Sequence, residues 1–465
     1  DHSRRWITAG VGSQPALDHS RRWIAAGGRL GTGHADVDRP CPLLFAQLLS
    51  LISQSSMDVT ILGGGISGIT TGLLLRALGH APTIVTHRRA DRSYAEPDPL
   101  FASLYPAASV IPHAVQVDDV VRRMRETQLF FEILRQHGTF GIRQQRHYEV
   151  FESPPPAPAY APAMHDFQWL PDDGSGAPGV PRRSDAKGVY GWTFRAYFAE
   201  TPTYLTRLYD LFDAAGGQVR SGVQITRDTL PSLPGQALVN CLGAGSRFLF
   251  PDPAPHSFLQ GYLVYATPNR PAVDRRHREV CSYNYHPPAS VYRRPDGSPA
   301  GVYAYPRTDT WVIGGTKRPG EVEDGTWRGP PVSGPTVNID GHAIPQPVVE
   351  VNADLLHSLF DVDIRQADLR ATEGVRFARD LNGGGVRLEA DTCDGRLLIH
   401  NYGHGGAGVT LSWSTALQVA RSLTARGENT TSGSAPPAAA SHNAPPVLSA
   451  LARTARSLGL DPDRV

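Results

Sequence analysis

From Asp58 onward, the apolar and polar positions follow the order strand, glycine turn, helix, strand. Val59 to Leu62 is a short apolar run typical of a buried strand, and Ile69 to Leu78 has the length and spacing of a helix. Gly63 to Gly68 separates these two segments, and Thr83 to Thr86 is the next apolar run. The order predicts a βαβ unit.

Further along the chain, the pattern predicts three more helices and several strands. Asp118 to His137 has acidic residues in its first turn and one apolar helical face, formed by Val120, Val121, Met124, Leu129, Phe130, Ile133 and Leu134. The other predicted elements are a helix over Tyr204 to Ala215, strands near Val219 and Leu238, strands within Val302 to Gly315, and a helix over Thr410 to Leu423.

The two ends of the chain differ from the rest. Asp1 to Gly10 recurs almost unchanged as Asp18 to Gly27, which is too few copies for a repeat fold, and we interpret residues 1–56 as a poorly ordered leader. Residues 426–465 are rich in Ser, Thr, Ala and Pro and predict a flexible tail with a short helix near Val447 to Leu458. Ser153 to Pro181 is Pro-rich and predicts a long surface loop.

Composition narrows the class of protein. The 465 residues suggest about three structural units at roughly 150 residues each. Hydrophobic residues make up 40% and charged residues 19%, and no apolar run is long enough to span a bilayer. The 45 basic and 44 acidic side chains nearly cancel, which argues against nucleic-acid and membrane partners. The four cysteines form no CxxC pair, so we expect no metal and a reducing, cytoplasmic location.

Gly63, Gly65 and Gly68 form a GxGxxG motif between the first strand and the first helix. Such glycines permit a tight turn, let the backbone approach a pyrophosphate, and allow close packing of helix and strand. The acid that usually holds the ribose should end the second strand, but that strand ends Thr86-His87-Arg88-Arg89, with Asp91 as the nearest acid. The motif therefore predicts a dinucleotide, either a nicotinamide dinucleotide phosphate or a flavin dinucleotide.

Asn401 to Gly408 reads NYGHGGAG and leads into the last large helix. Four glycines in eight residues cost backbone entropy on ordering, so the backbone there must approach another group closely. With His400, this stretch resembles the C-terminal loop of the D-amino-acid oxidase family of flavoenzymes. Other segments from about Met57 to Leu423 resemble that family in the same order, namely Phe101 to His113, Val239 to Gly245, Tyr303 to Thr316 and Gly374 to Glu389.

The resemblance implies an α/β fold with non-covalent FAD. A Rossmann-like FAD-binding domain (about 57–110, 200–250 and 370–425) would be interleaved with a mixed-sheet α+β substrate domain (about 111–199 and 251–369). The candidate cofactor-binding residues are Gly63, Gly65, Ile66, Ser67, Gly68, Arg88, Ala107, Ala108, Ser109, Gly243, Gly403, His404, Gly405, Gly406, Gly408, Val409 and Thr410. The helix from Thr410 would direct its positive end at the flavin.

The resemblance also implies an amino-acid site. Arg376 matches the arginine that binds the substrate carboxylate, for which a planar guanidinium is suited, and Arg379 is the structural neighbour. Tyr303 matches a tyrosine that holds the same carboxylate. The expected reaction is hydride transfer from a D-amino acid to flavin without a side-chain base, followed by imine hydrolysis to a 2-oxo acid and ammonia, with dioxygen giving hydrogen peroxide.

Several positions depart from the family pattern. Gln260 stands before Gly261 where an arginine is common, and the second active-site tyrosine has four unranked candidates in Tyr283, Tyr285, Tyr292 and Tyr305. Lys317 stands where D-aspartate-oxidising relatives carry a basic residue, but neutral D-amino acids are the expected substrates.

Two other functions stay open. One is an oxidase of another amine or imino acid, either glycine-oxidase-like or biosynthetic. The other is a catalytically idle dinucleotide-binding protein. The expected partners are a small amino acid and dioxygen, and a homodimer is left open.

Overall fold

The computed structural model describes residues 56–92, 98–105, 108–113, 115, 117–171, 174–175, 179–268, 272–274, 276–379, 385–427 and 445–460. The duplicated leader, apart from its last residue, and positions 428–444 of the tail lie outside these residues. Over the described part of the chain, no helix combines the length and apolar character that crossing a membrane requires.

The described residues contain seven α-helices: α1 Ile66–Leu78, α2 Val120–His137, α3 Thr201–Ala214, α4 Ser246–Leu249, α5 Gln346–Phe360, α6 Gly408–Gly427 and α7 Pro446–Ser457. The first helix begins three residues earlier than the predicted start at Ile69, because the carbonyl of Gly65 already accepts a hydrogen bond from the Ile69 amide at 3.0 Å. The last glycine of the motif is therefore part of the first helical turn.

A six-stranded sheet contains the predicted βαβ unit. Its strands are β1 Asp58–Leu62, β2 Ala81–Val85, β7 Gln218–Arg220, β8 Ala237–Asn240, β18 Ala390–Cys393 and β19 Arg396–His400. The strand order is β18-β19-β8-β1-β2-β7, and all neighbours are parallel except β18 with β19. Parallel pairing of β1 with β2 across α1 confirms the βαβ prediction.

The second sheet is mixed and has eleven strands: β3 Ala108–Ser109, β4 Ile142–Phe151, β5 His165–Trp169, β6 Tyr190–Ala199, β9 His256–Ala266, β10 Cys281–His286, β11 Val302–Pro306, β12 Trp311–Gly314, β13 Arg318–Glu323, β14 Thr326–Arg328 and β17 Leu369–Arg379. A separate hairpin pairs β15 Thr336–Ile339 with β16 His342–Pro345. The α/β fold class expected from the sequence is confirmed by these two sheets and their helices.

Strand pairing in the mixed sheet positions the site. The long strand β9 pairs along its whole length with β17, and on its other side with β12 and β13. Strands β4 and β10 run parallel to each other, and β11 lies between β10 and β12. The inward side chains of β4, β10, β11 and β17 are thus brought into one region.

Two details of the sequence prediction are wrong. Leu129, placed on the apolar face of α2, is 47% exposed, whereas Phe131 is buried and packs near the rings of Tyr197 and Tyr204. The segment from Ser153 to Pro181, interpreted as irregular, contains β5, which pairs with β6. In both cases contacts with distant residues outweigh the local pattern.

The core around α1 includes both later helices. Trp413 of α6 stacks on Phe130 of α2 with ring centres 5.2 Å apart, and its indole N–H donates to the Tyr204 hydroxyl at 2.8 Å. Helix α7 lies where the tail prediction places a short helix, and it buries Val447, Leu448, Leu451 and Ala455 in this core. Residues 445–460 are therefore packed on the fold.

Candidate active site

The glycine motif forms a turn that has no room for side chains. Gly63 has φ of +104°, and a Cβ there would stand 2.6 Å from the Cys241 carbonyl oxygen at the end of β8. A Cβ on Gly68 would overlap the carbonyl oxygen of Gly63. The first and third glycines are thus required by the turn itself.

Side chains from three other segments hold this turn. The Ile66 amide, at the start of α1, donates to Ser103 Oγ at 2.9 Å, and the Gly64 amide donates to Thr86 Oγ1 at 3.0 Å. The Tyr209 hydroxyl donates to the Gly64 carbonyl at 2.6 Å. These contacts could not be read from the motif, because each joins it to a residue far away in sequence.

The residue directly after β2 is not an acid but Thr86, which supports the glycine turn. Asp91, the nearest acid, is held by Arg89 through two hydrogen bonds of 3.1 and 3.0 Å. Arg88, a predicted cofactor residue, is half-buried with a guanidinium nitrogen 4.0 Å from Asp98. None of these three side chains lines the cavity described next.

A cavity of about 270 Å³ lies between the glycine segments and the mixed sheet. Of the predicted cofactor residues, those that line it are Ile66, Ala108, Ser109, Gly405, Gly406, Gly408, Val409 and Thr410. Those that do not are Gly63, Gly65, Ser67, Gly68, Arg88, Gly243, Gly403 and His404, and Ala107 lies outside the described residues. The fold therefore brings the start of α1 and the start of α6 to one cavity.

The C-terminal loop is shaped for close approach. Gly403 and Gly405 have φ of +88° and +55°, and a Cβ on Gly403 would stand 2.8 Å from Arg379 Cδ. Helix α6 begins at Gly408, where a Cβ would make ordinary contacts with Ile66 at 3.7 Å and His404 at 3.9 Å. The Thr410 hydroxyl donates to the Ile111 carbonyl at 2.9 Å and attaches the helix start to the segment after β3.

His404 lies behind the loop rather than on the cavity. Its Nδ1 is 3.5 Å from Ser67 Oγ and its Nε2 is 3.4 Å from Thr415 Oγ1, so it bridges α1 and α6. Burial lowers the pKa of His404 to about 4, which keeps the ring neutral. The structure thus gives this residue a packing role.

Both predicted substrate residues, Arg376 and Tyr303, line the cavity. Burial raises the pKa of the Tyr303 phenol and the nearby Arg376 acts to lower it, so the hydroxyl stays protonated and can donate. Among the described residues, the buried Nη1 of Arg376 has no hydrogen-bond partner. A buried guanidinium with a free donor fits an anionic ligand.

Arg379, three residues further along β17, has a different environment. Its guanidinium makes two hydrogen bonds of 2.8 and 2.9 Å with the Asp252 carboxylate, and both side chains are nearly buried. The arginine therefore ties β17 to the segment after α4. This agrees with the structural role that the sequence analysis assigned to it.

The structure separates the four candidate tyrosines. Tyr292 and Tyr305 line the cavity, and the Tyr305 ring stacks on Tyr303 with centres 4.7 Å apart. Tyr283 and Tyr285 donate their hydroxyls elsewhere, to Asn352 at 2.8 Å and Glu152 at 2.9 Å. Strand alternation places Tyr303 and Tyr305 on one face of β11, which is why both reach the cavity.

The cavity wall is cationic. Besides Arg376 it includes Lys317, Arg293, Arg294 and Arg318, and no described Asp or Glu is among its lining residues. Burial, together with the charges of Arg376 and Arg294, lowers the pKa of Lys317 to about 8. Besides Arg376, the sequence indicates only Lys317 among these cations, because strand pairing and turns bring the others to the cavity.

A buried carboxylate stands behind another part of the wall. Glu149 Oε2 is 3.3 Å from His286 Nε2, and Glu149 Oε1 is 3.4 Å from His147 Nε2 and 3.9 Å from His113 Nδ1. Burial acts to raise the pKa of Glu149, but the hydrogen bonds from His147 and His286 and the nearby His113 hold it below its usual range.

This cluster could not be identified from the sequence. Its only local signal is the presence of polar residues at alternate, inward positions of β4 and β10. Within the described part of the chain, no set of His, Cys, Asp and Glu side chains could hold a metal ion. The cluster consists of one buried carboxylate with three imidazoles within 4 Å of it.

The observations fit a dinucleotide cofactor with an anionic substrate beside it. A glycine turn opens onto the N-terminus of α1, and a second glycine segment opens onto the N-terminus of the 20-residue α6. Helix N-termini favour anionic groups, and glycine backbones allow close approach. Arg376 and Tyr303 supply donors in the same cavity.

Comparison with known proteins finds relatives over most of the chain. The family described as FAD dependent oxidoreductase matches residues 58–422. The chain is 26% identical over 374 residues to a D-amino-acid oxidase of Streptomyces coelicolor, covering 78% of this chain and 96% of that protein. It is 24% identical over 381 residues to a human D-aspartate oxidase, covering 78% of this chain and 93% of that protein.

Solved structures share the fold. A glycine oxidase from Geobacillus kaustophilus superposes with a TM-score of 0.53 at 17% identity, covering 80% of this chain and 95% of that chain. NikD, an amino acid oxidase of nikkomycin biosynthesis, gives a TM-score of 0.54 at 14% identity, covering 82% and 96%. At such identities the likeness concerns the fold.

Proposed function

The chain belongs to the family of FAD-dependent oxidoreductases, and from this premise we propose that it oxidatively deaminates D-amino acids. The products would be a 2-oxo acid, ammonia and hydrogen peroxide. One observation carries the proposal: Arg376, whose buried Nη1 has no hydrogen-bond partner among the described residues, lines the same cavity as Tyr303. An α-carboxylate is the group that this pair would recognise.

Residues of both glycine segments would hold FAD. The turn from Gly63 to Gly68 and the start of α1 suit the pyrophosphate, and Gly405 to Thr410 suit the flavin end. When bound, FAD supplies the two-electron acceptor that passes electrons on to dioxygen. The role of the protein is then to bind and orient the amino acid.

Arg376 and Tyr303 would orient the substrate by its carboxylate. The guanidinium can form two parallel hydrogen bonds with a carboxylate, and the Tyr303 hydroxyl adds a donor. Leu263, Val302 and Val312 also line the cavity and would exclude water from the α-carbon. The amino group and the side chain of the substrate would then contact other parts of the cavity wall.

The charge of the wall favours an acidic side chain over the neutral one expected from the sequence. The chain as a whole has a net charge of +1, yet Lys317 and three arginines besides Arg376 line the cavity. A cavity wall that carries these cations and no described carboxylate favours a ligand that brings a second negative charge. D-Aspartate and D-glutamate would supply that charge.

The experiment is anaerobic titration of the FAD-loaded protein with D-aspartate, D-asparagine, D-alanine, L-aspartate and glycine. We expect flavin bleaching with D-amino acids, strongest with D-aspartate, and peroxide formation in air. Bleaching of Arg376→Ala as complete as that of wild type would favour the amine-oxidase alternative, because the contact with the carboxylate would then be irrelevant. No bleaching by any D-amino acid would reject the proposal and favour an idle binding protein.

A further inference from the structure

Asp252, in the segment between α4 and β9, accepts hydrogen bonds from two side chains of distant segments. Its carboxylate accepts two from the Arg379 guanidinium, at 2.8 and 2.9 Å, and one from the Tyr402 hydroxyl at 2.6 Å. The backbone amide of Ala254 donates to the same carboxylate at 3.1 Å and fixes its orientation. Burial acts to raise the pKa of Asp252, but the bonds from Arg379 and Tyr402 hold it below its usual value, so the group is charged.

The two donors belong to the two halves of the site. Arg379 is the last residue of β17, three residues after Arg376. Tyr402 directly precedes the C-terminal loop (residues 403–410), whose later residues line the cavity together with Arg376. One carboxylate therefore joins the strand of the substrate arginine to the loop that would hold FAD.

Backbone contacts show that this strand and this loop lie directly against each other. Ala378 of β17 forms an antiparallel bridge with His404. A Cβ on Gly403 would stand 2.8 Å from Arg379 Cδ, so the loop backbone rests on the arginine side chain. A shift of Arg379 would therefore be transmitted to Gly403.

A second arginine reinforces the attachment of Tyr402. Arg387 Nη1 donates to the Tyr402 hydroxyl at 3.1 Å and to the Pro251 carbonyl, next to Asp252, at 2.8 Å. The backbone amide of Arg387 donates to the Tyr402 carbonyl at 2.9 Å. The Tyr402 hydroxyl is thus fixed between one donor and one acceptor.

The reaction depends on how the amino acid lies relative to the flavin, a requirement that rests on the proposed function. Arg376 would fix the carboxylate end of the substrate, and the C-terminal loop would fix the flavin. A displacement of about 1 Å between reacting groups can lower a rate by about 100-fold. The distance between these two holders therefore matters as much as the presence of each.

We propose that Asp252 is a positioning residue, which holds the C-terminal loop in register with Arg376 through Tyr402 and Arg379. Asp252 is not among the residues that line the cavity, so it acts only through these partners. A carboxylate can accept from all of its donors at once, whereas an asparagine would turn an NH2 group toward one of them. Removing the charge should loosen the loop from the strand and leave the substrate contacts of Arg376 in place.

The mixed sheet contains a matched control with the same chemistry. Glu152 accepts two hydrogen bonds from Arg183, at 2.7 and 3.2 Å, and one from the Tyr285 hydroxyl at 2.9 Å. The side chains of Glu152 and Asp252 are each 10% exposed. Glu152 and its two partners are not among the residues that line the cavity.

The test compares Asp252→Asn and Tyr402→Phe with the control variants Glu152→Gln and Tyr285→Phe. Release of FAD from the loaded proteins on dilution, followed by flavin fluorescence, gives the dissociation constant. We expect it to rise at least tenfold in Asp252→Asn and about threefold in Tyr402→Phe, and to stay within about twofold of wild type in the controls. The visible circular dichroism of bound flavin should change in the first two variants only.

Kinetics at saturating FAD separate positioning from a purely structural role. We expect kcat of Asp252→Asn with a D-amino acid to fall at least tenfold, whereas KM stays within about threefold because Arg376 still binds the carboxylate. Urea denaturation should show similar losses of unfolding free energy for Asp252→Asn and Glu152→Gln. A purely structural Asp252 would lower stability and leave kcat and the flavin spectrum unchanged.

The outcomes are distinct. Dissociation constants that change alike in all four variants, or that do not change in Asp252→Asn and Tyr402→Phe, would overturn the proposal. If Asp252→Asn does not fold, Tyr402→Phe, which lacks only one hydroxyl, decides by the same measurements. If no D-amino acid reduces wild type, the proposed function fails, whereas FAD affinity and circular dichroism still decide the role of Asp252.

Discussion

Arg376 lies directly over Gly261: a Cβ at position 261 would stand 2.8 Å from Nη1 of the guanidinium. In the register of β9 and β17, Gly261 is opposite Gly374, so Arg376, two residues further on, points to the same face. The absence of a side chain at position 261 is what gives the arginine its place in the cavity. The preceding Gln260 is held elsewhere, by Glu373 and Arg318.

Gly261→Ala should therefore weaken substrate binding. The new methyl group displaces the Arg376 guanidinium, so we expect KM for D-amino acids to rise about tenfold, which corresponds to ~1.4 kcal/mol, with a smaller change in kcat. Steady-state peroxide assays measure this. An unchanged visible spectrum of bound FAD would show that the cofactor site is intact, and an unchanged KM would contradict the assigned position of Arg376.

Lysine substitutions should distinguish the two arginines of β17. Arg376→Lys loses the planar fork in the cavity, and we expect kcat/KM to fall at least tenfold with thermal stability nearly unchanged. Arg379→Lys breaks the paired hydrogen bonds with Asp252 and should cost about 1–3 kcal/mol of unfolding free energy. Steady-state kinetics should show the larger loss for Arg376→Lys, and chemical denaturation the larger loss for Arg379→Lys. If both variants lose activity and stability alike, the two arginines do not have different roles.

Lys317→Met should reduce the preference for D-aspartate over D-asparagine by about tenfold, because the substitution removes a buried positive charge at nearly constant size. The ratio of the two kcat/KM values measures this. Because the pKa of Lys317 is about 8, the wild-type preference should itself decline as the pH rises through 8 and the lysine loses its charge. A preference that is independent of both changes would show that Lys317 does not contact the substrate side chain.

His400 should make the protein less stable in acid. It is fully buried, its Nδ1 accepts from the Asn240 amide at 3.0 Å, and its pKa is lowered to about 4 mainly by burial. The folded state therefore holds the neutral ring, whereas the unfolded chain takes up a proton below about pH 6.5. The contribution of His400 to the free energy of unfolding is complete above pH 6.5. It is lost as the pH falls toward 4, a decrease of roughly 3 kcal/mol.

Urea denaturation at several pH values measures this contribution. His400→Gln should flatten the dependence between pH 6.5 and 4 by up to about 1.4 kcal/mol per pH unit. Buried His404, with its pKa also near 4, continues to contribute in the variant. An unaltered slope would mean that His400 titrates alike in the folded and unfolded states.

Leu451→Ala should destabilise the whole fold although it lies in the predicted tail. Its side chain is fully buried between α7 and the helices beneath it, and such truncations cost about 2–5 kcal/mol. Arg453→Ala, at an exposed position of the same helix, is the matched control and should change stability by less than about 0.5 kcal/mol. Equal effects would indicate that α7 is not part of the cooperative unit.

The sequence predicted the elements whose signals are local. The βαβ unit, α2 and α6 follow from apolar spacing and from glycine positions, and their boundaries differ from the prediction by only a few residues. The start of α1 was placed too late because a glycine inside a helical turn looks the same in sequence as one before it. Leu129 and Phe131 were misjudged because the exposed face of α2 depends on what packs against it.

By itself, the sequence determined the two glycine segments, the α/β class, and the arginine and tyrosine that match a known family. Those features are carried by residues close together in the chain. The tertiary structure alone decided that Thr86 rather than an acid supports the glycine turn, that Gly261 makes room for Arg376, and that Glu149 stands behind His113. Each of these pairs joins distant segments, and only strand register and helix packing set which side chains face each other.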